Sequence, residues 1–289
     1  MGYLKDILKQ RNKLDLFSES EIEDLDALIM PVDTNIKIES VILSEENKDK
    51  INDFLAEQEN RHKLERYGLK PMNRLLMYGA SGTGKTFLTK ALSNHLGYTM
   101  LYIDIAKSLS EGTVANNVSN IFRVANALGH CIIFLDECDS IAWNRDSSSP
   151  DSGVIRRATN SLFQQLDQMN TSNIFVSATN MLYRIDLAFE RRFDLKMEFK
   201  RPQGIDEAIN KFLFKDFTID HDVHKDRKEI IIKRAEASPK LSYYGIQGIV
   251  ERAMKKAVMN DTTVVKESDI YNDIARTERI KIYFNEDNE

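Results

Sequence analysis

Eight residues, GASGTGKT at 79–86, gather three of the chain's twelve glycines into one short run. They fit the pattern G-x-x-x-x-G-K-[S/T], with the apolar stretch RLLMY before them and an amphipathic stretch after them. Such a run suits one kind of chemistry. Without a Cβ at Gly79, Gly82 and Gly84, the backbone around them, Ala80, Ser81 and Thr83 included, can turn its N–H groups onto phosphate oxygens. A helix starting near Lys85 adds the positive end of its dipole. Lys85 is then placed to reach the β- and γ-phosphates of a nucleoside triphosphate, and the Thr86 hydroxyl to ligate Mg²⁺.

A second stretch, IIFLDE at 132–137, delivers two carboxylates at the end of an apolar run. Ligands of open parallel sheets bind at the carboxyl ends of the strands. Asp136, 51 positions after Lys85, is expected in the Mg²⁺ shell, and Glu137 beside it is placed to polarise a water. A third stretch, FERRFD at 189–194, sets Arg191 and Arg192 side by side. Two adjacent guanidiniums repel unless solvent or an anion lies between them, so the pair is either a solvated face or an anion contact.

The elements that position these groups follow from periodicity. RLLMYG (74–79), YTMLYID (98–104), HCIIFLDE (130–137), NIFVSATN (173–180) and LKMEF (195–199) read as strands. Amphipathic segments near 85–95, 114–127 and 153–168 separate most of them, which predicts an α/β fold with a parallel five-stranded sheet between helices. After KRPQG at 200–204 the chain reads as helices at 205–215, 226–237, 244–259 and 267–278, a small helical domain. Before the sheet, GYLKDILKQRN reads as a helix, and SESEIEDLDALIM opens on a Ser18–Glu21 capping box. The expected division is a helical N-terminal appendage (1–35), an α/β nucleotide-binding domain (36–201) and a C-terminal helical domain (202–289). A single helix of about 45–66 is expected between the first two.

Composition excludes several classes. With a net charge of −5 there is no global basic field to hold a polyanion, which argues against nucleic acid as the main partner. The longest apolar run, CIIFL at 131–135, is far short of a membrane span, and MGYLKDILKQ lacks a signal-peptide core. Cys131 and Cys138 are not spaced as a zinc or redox pair and read as reduced core thiols, which suggests the cytoplasm. His221 and His224 form at most a weak metal pair; two exposed loop residues are the plainer expectation.

With these motifs in place, residues 36–280 resemble the AAA+ ATPases, in particular the AAA subgroup that includes katanin and spastin and stand-alone bacterial or phage members. The segment SVILSEENKDKINDFL is similar to the family's stretch beside the adenine, which implicates Ile42. VSATN resembles sensor 1, so Asn180 is implied to hold the attacking water or the γ-phosphate. IDLAFERRFD resembles the second region of homology, with the arginines 11 and 12 positions after Asn180. The resemblance implies that Arg191 and Arg192 act in trans on a neighbouring subunit's nucleotide, and hence that copies form a ring, with six as the expected number. SYYGIQGIVERAMKKAV is similar to the lid helix nearest the nucleotide, which brings Gly245 and Ile246 to the adenine or ribose. ATP and Mg²⁺ are the implied cofactors, and a protein substrate or partner enzyme the implied target. The aromatic–hydrophobic–Gly loop with which relatives thread polypeptide corresponds here to Ser110, Glu111 and Gly112, which cannot grip a side chain by stacking. That departure favours, as an alternative, an ATP-gated module that docks and releases a partner without threading it. A second pore-facing loop is expected within 144–157, with Arg156 and Arg157 at its end.

Overall fold

The computed structural model describes residues 2–103, 114–140, 152–238 and 240–277. They form two units, one of the described residues within 2–79 and 85–199 and the other of those within 80–84 and 200–277.

The first unit is built on a six-stranded sheet. Strands β1 (Ile29–Met30), β2 (Arg74–Gly79), β3 (Thr99–Ile103), β4 (Cys131–Leu135), β5 (Ile174–Thr179) and β6 (Leu195–Phe199) lie in the order β1-β3-β4-β5-β2-β6. All pairings are parallel except β1 with β3. The five strands expected from periodicity form within a residue of their predicted limits or inside them. Strands β4 and β5 are buried along their whole length, the pattern of central strands covered on both faces. Alternate side chains of β2, β3, β4 and β5 divide between two cores. Leu76, Leu101, Ile133 and Phe175 enter one; Leu75, Met100, Ile132, Phe134 and Val176 enter the other.

Helices cover both faces. The first core takes Leu4 and Leu8 from α1 (Tyr3–Gln10) and Ile22 and Leu25 from α2 (Glu19–Asp26). The second takes Ile51 and Phe54 from α3 (Glu45–Glu59). A short helix α4 (Arg61–Arg66) follows α3, so the single helix expected near 45–66 is two, broken at Asn60 with φ −98° and ψ 15°. Helix α5 (Lys85–Leu96) supplies Leu88 and Leu92 to the second core. Helices α6 (Val114–Leu128) and α7 (Ser152–Gln168) supply Ile121, Phe122, Leu162 and Leu166 to the first. The four-residue α8 (Leu187–Glu190) precedes β6.

The Ser18–Glu21 capping box forms, with Glu21 N donating to Ser18 Oγ at 3.3 Å and Ser18 N to Glu21 Oε2 at 2.9 Å. Those bonds and the Arg123 guanidinium hold the Glu21 carboxyl down to about 2. Residues 2–30 are stitched into the α/β core: Leu4 and Leu8 are fully buried, each worth about 1.5–3 kcal/mol.

The second unit contains α9 (Ile205–Phe212), α10 (Lys225–Glu236), α11 (Tyr243–Met259) and α12 (Glu267–Thr277), with a small parallel pair of β7 (Thr218–Asp220) and β8 (Val264–Lys266). Ile209, Ile231, Ile246, Val250, Ile270 and Ile274 make its core. Lys228 pairs with both Asp206 (3.1 Å) and Glu267 (2.7 Å). His221 meets Glu267 rather than His224, and both histidine side chains are exposed, as loop residues would be.

Candidate active site at the carboxyl edge of the sheet

Strand β2 lies between β5 and β6, while the chain leaving it returns through β3 and β4 on the far side of β5. The order therefore reverses at β2, and the crevice outside its carboxyl end is where such sheets bind ligands. Gly79 ends β2 there. Its φ is +139°, and a Cβ would lie 2.1 Å from the Phe199 carbonyl oxygen on β6, so only glycine fits. Gly84 has φ +107°, yet a Cβ on it would meet nothing within 4 Å. Its backbone thus borders open space just ahead of the first turn of α5. Between them Gly82 has φ +72°, Thr83 is buried with its hydroxyl on the Ala80 carbonyl (2.8 Å), and Ser81 is exposed.

Lys85, the first residue of α5, is 6% exposed. Its Nζ donates to the Gly79 carbonyl at 2.6 Å and to Asn180 Oδ1 at 2.9 Å. Burial lowers its pKa, while the carboxylates of Asp136 and Asp139 pull the other way. Thr86 is the next residue, and its Oγ1 donates to Asp136 Oδ2 at 3.0 Å. Asp136 follows β4 and Asn180 follows β5, so adjacent parallel strands bring Lys85, Thr86, Asp136 and Asn180 to one edge. A hydroxyl and one carboxylate are hard oxygen ligands. That sparse set suits Mg²⁺, which keeps waters and takes its remaining ligands from phosphates. Among the described residues no group of three or more His, Cys, Asp or Glu could hold a metal as a protein-built cage.

The turn after β4 is constrained. Glu137 is exposed with φ +51°, a region uncommon for a side chain of its size, and its N–H donates to Asp136 Oδ1 at 3.0 Å. What holds it there lies on either side. Tyr102 on β3 donates to Asp136 Oδ2 at 3.0 Å. Cys138 is wholly buried, which pushes its thiol up to about 12. Asp139 accepts the Thr179 hydroxyl at 2.8 Å, tying the turn to β5 one residue before Asn180. The same Thr179 oxygen accepts from Met181 N at 2.9 Å. Tyr102, Asp139 and Thr179 were not singled out by the sequence motifs, because each acts across 34 to 40 residues of chain. Replacing Thr179 by Val removes the donor while keeping the shape. Turnover is expected to fall about tenfold, with nucleotide affinity little changed and Thr179→Ser restoring it; separate kcat and KM measurements check this.

The FERRFD stretch closes the end of α8. Arg191 is exposed, whereas Arg192 folds back onto its own unit. Ile42 sits, half-buried, in the short stretch before α3 of the first unit. Gly245 and Ile246 lie in the first turn of α11 of the second unit, the Ile246 side chain fully buried in that unit's core. Ser110, Glu111 and Gly112 fall outside the described residues, as do 144–151 of the second expected loop; Arg156 and Arg157 at its end are exposed on α7.

A glycine-rich loop between a central strand and a helix, with a lysine on its helix and an acid pair just after a nearby strand, defines the class of P-loop nucleoside triphosphatases. Residues 75–201 match the family model described as ATPase family associated with various cellular activities (AAA). The chain carries an AAA-family ATPase domain. It is 27% identical, over 79% of its length and 67% of the relative's, to an uncharacterized AAA family ATPase of Sinorhizobium fredii. It is 33% identical to a 26S proteasome regulatory subunit 4 homolog of Schizosaccharomyces pombe, over 70% of this chain and 48% of that protein. To the peroxisomal ATPase pex6 of the same yeast it is 34% identical over 54% of this chain and 18% of the relative. The chain thus spans about half or less of the length of these two yeast relatives.

Proposed function

We propose that this chain binds and hydrolyses ATP with Mg²⁺, assembles with further copies of itself into a ring of six, and uses turnover to remodel, disassemble or unfold a protein partner. The observation that carries the proposal is the convergence of Lys85 on Asn180 and of Thr86 on Asp136, at 2.9 and 3.0 Å. Thr86 and Asp136 would hold Mg²⁺, which would neutralise charge that develops on the β- and γ-phosphates. The backbone from Gly79 to Gly84 binds the phosphates, and Lys85 supplies the ammonium to the terminal pair. Glu137, exposed at the turn, orients and deprotonates the attacking water, and Asn180 holds it in line. Ile42, Gly245 and Ile246 are assigned to the adenosine end. The FERRFD stretch that carries Arg191 and Arg192 is assigned to the edge that meets the nucleotide of the adjoining copy, where charge spreads over the γ-phosphate oxygens in the transition state.

The relatives named as proteasome regulatory subunits and as a peroxisomal ATPase support a protein partner, or a separate enzyme that this chain drives. The two buried free thiols suit a reducing compartment, the cytoplasm. Among the described residues no helix is long and apolar enough to cross a membrane. The polar Ser110–Glu111–Gly112 stretch favours a second function, an ATP-gated module that docks and releases its partner intact. Following a fluorescently labelled captured partner through ATP turnover separates the two. Loss of its folded-state signal supports remodelling; release with that signal intact supports gating.

A further inference from the structure

The six residues of FERRFD differ sharply in what they touch. Phe189 and Phe193 point inward, edge to face at 4.9 Å, with Phe189 stacked on Phe163 at 5.8 Å and Phe193 tilted against Phe175 at 5.9 Å. Glu190 pairs with Lys196 at 2.8 Å. The Asp194 carboxylate accepts from Asn73 N and Arg74 N at 2.9 and 3.0 Å, fixing the stretch to the start of β2. Arg192 is held hardest. Its Nε and Nη2 donate to the two oxygens of Asp167 at 3.2 and 3.3 Å, and its Nη1 donates to the Ala188 carbonyl at 2.6 Å. Its guanidinium also lies 4.2 Å from the centre of the Phe163 ring, on the same helix α7 as Asp167. Arg191, one residue earlier, is exposed and has no side-chain partner among the described residues.

We infer that the two arginines divide the work. Arg191 alone is presented to the triphosphate of a second copy, and Arg192 is a positioning residue that Asp167 and Phe163 keep within its own subunit. This rests on the proposal that the FERRFD stretch acts in trans. Helix α8 has four residues, too few to be stable by itself, so its direction is set by what anchors its ends. Asp186 caps one end by accepting from Ala188 N at 2.6 Å, and Arg192 clamps the other. Pulling Arg192 out to a neighbour would break a two-pronged charged pair and a ring contact, and would leave Asp167 without its cation. Sending Arg191 out breaks nothing. The neighbour's ligand is recognised as a polyanion, by a single guanidinium whose direction the Asp167–Arg192–Phe163 clamp sets.

The full-length chain tests this through steady-state turnover and thermal unfolding of Arg191→Ala, Arg192→Ala, Arg192→Lys and Asp167→Asn. Arg191→Ala is expected to lose about 10³-fold or more in kcat with an unchanged melting temperature. Adding subunits that carry Lys85→Ala but an intact Arg191 should restore part of that activity. Arg192→Ala and Asp167→Asn are each expected to lower the melting temperature and to lose about 10²-fold in kcat through misplacement of Arg191. The Asp167→Asn/Arg192→Ala double variant should be no worse than either single one, and Arg192→Lys should not rescue, since an ammonium cannot bond both carboxylate oxygens and stack. If Arg192→Ala matches the loss in Arg191→Ala with an unchanged melting temperature, and Asp167→Asn is silent, the division of work is overturned while action in trans stands. If Arg191→Ala turns over normally, or Lys85→Ala subunits fail to rescue it, action in trans itself falls.

Discussion

Glu137→Gln is expected to keep ATP bound while turnover falls about 10²–10⁴-fold, the usual contribution of a general base. The amide matches the carboxylate in size, so the φ +51° turn and the Glu137 N–H bond to Asp136 remain. Thr86, Tyr102 and Asp139 keep their partners as well. What is lost is an acceptor basic enough to take a proton from water. Neutralising one carboxylate beside the triphosphate also relieves a like-charge repulsion, so ATP affinity should hold or rise. Nucleotide binding measured by fluorescence, with single-turnover hydrolysis on the same sample, checks both halves. Turnover within about twofold of wild type would move the base elsewhere.

Lys85→Ala is expected to act one step earlier and to abolish tight nucleotide binding. Charge-assisted hydrogen bonds contribute about 1.5–3 kcal/mol each, so losing two to the terminal phosphates weakens ATP binding about 10²-fold or more. The nucleotide-free protein should lose little stability. Burial already disfavours the charged Lys85, which its lowered pKa records, and Asn180 is exposed and can turn to water once its donor is gone. Calorimetric titration of ATP with Mg²⁺, beside thermal unfolding without nucleotide, distinguishes this from general damage. A fall in melting temperature matching the loss of binding would make Lys85 a structural residue instead.

Much of the site was legible because it is local in sequence. GASGTGKT carries its strand, turn and helix within a few residues, and IIFLDE announces its burial by composition. The partners that fix those motifs are not local. Tyr102 reaches Asp136 from the neighbouring strand, Thr179 reaches Asp139 from the next, and Asp167 reaches Arg192 from a helix 25 residues upstream. One side chain among many in an amphipathic pattern gives no sign of such pairings. The strand β1 and the β7–β8 pair, two or three residues each, are too short to leave a period. Asn60, where α3 gives way to α4, is a weaker stop signal than Gly or Pro, and its φ of −98° is not the left-handed cap that Asn signals elsewhere. The N-terminal helices were legible as helices. That Leu4 and Leu8 would be buried in the α/β core depends on which surface waits for them, and a stripe of leucines does not say.

The central claim is an ATP-hydrolysing centre completed by a second copy of the chain. Its most direct test is ATP turnover per subunit, with Mg²⁺, measured across protein concentration while light scattering follows association. Turnover per subunit is predicted to rise steeply as copies associate and to level off once assembly is complete. A constant rate per subunit, maintained where the chain is monomeric throughout, would contradict it.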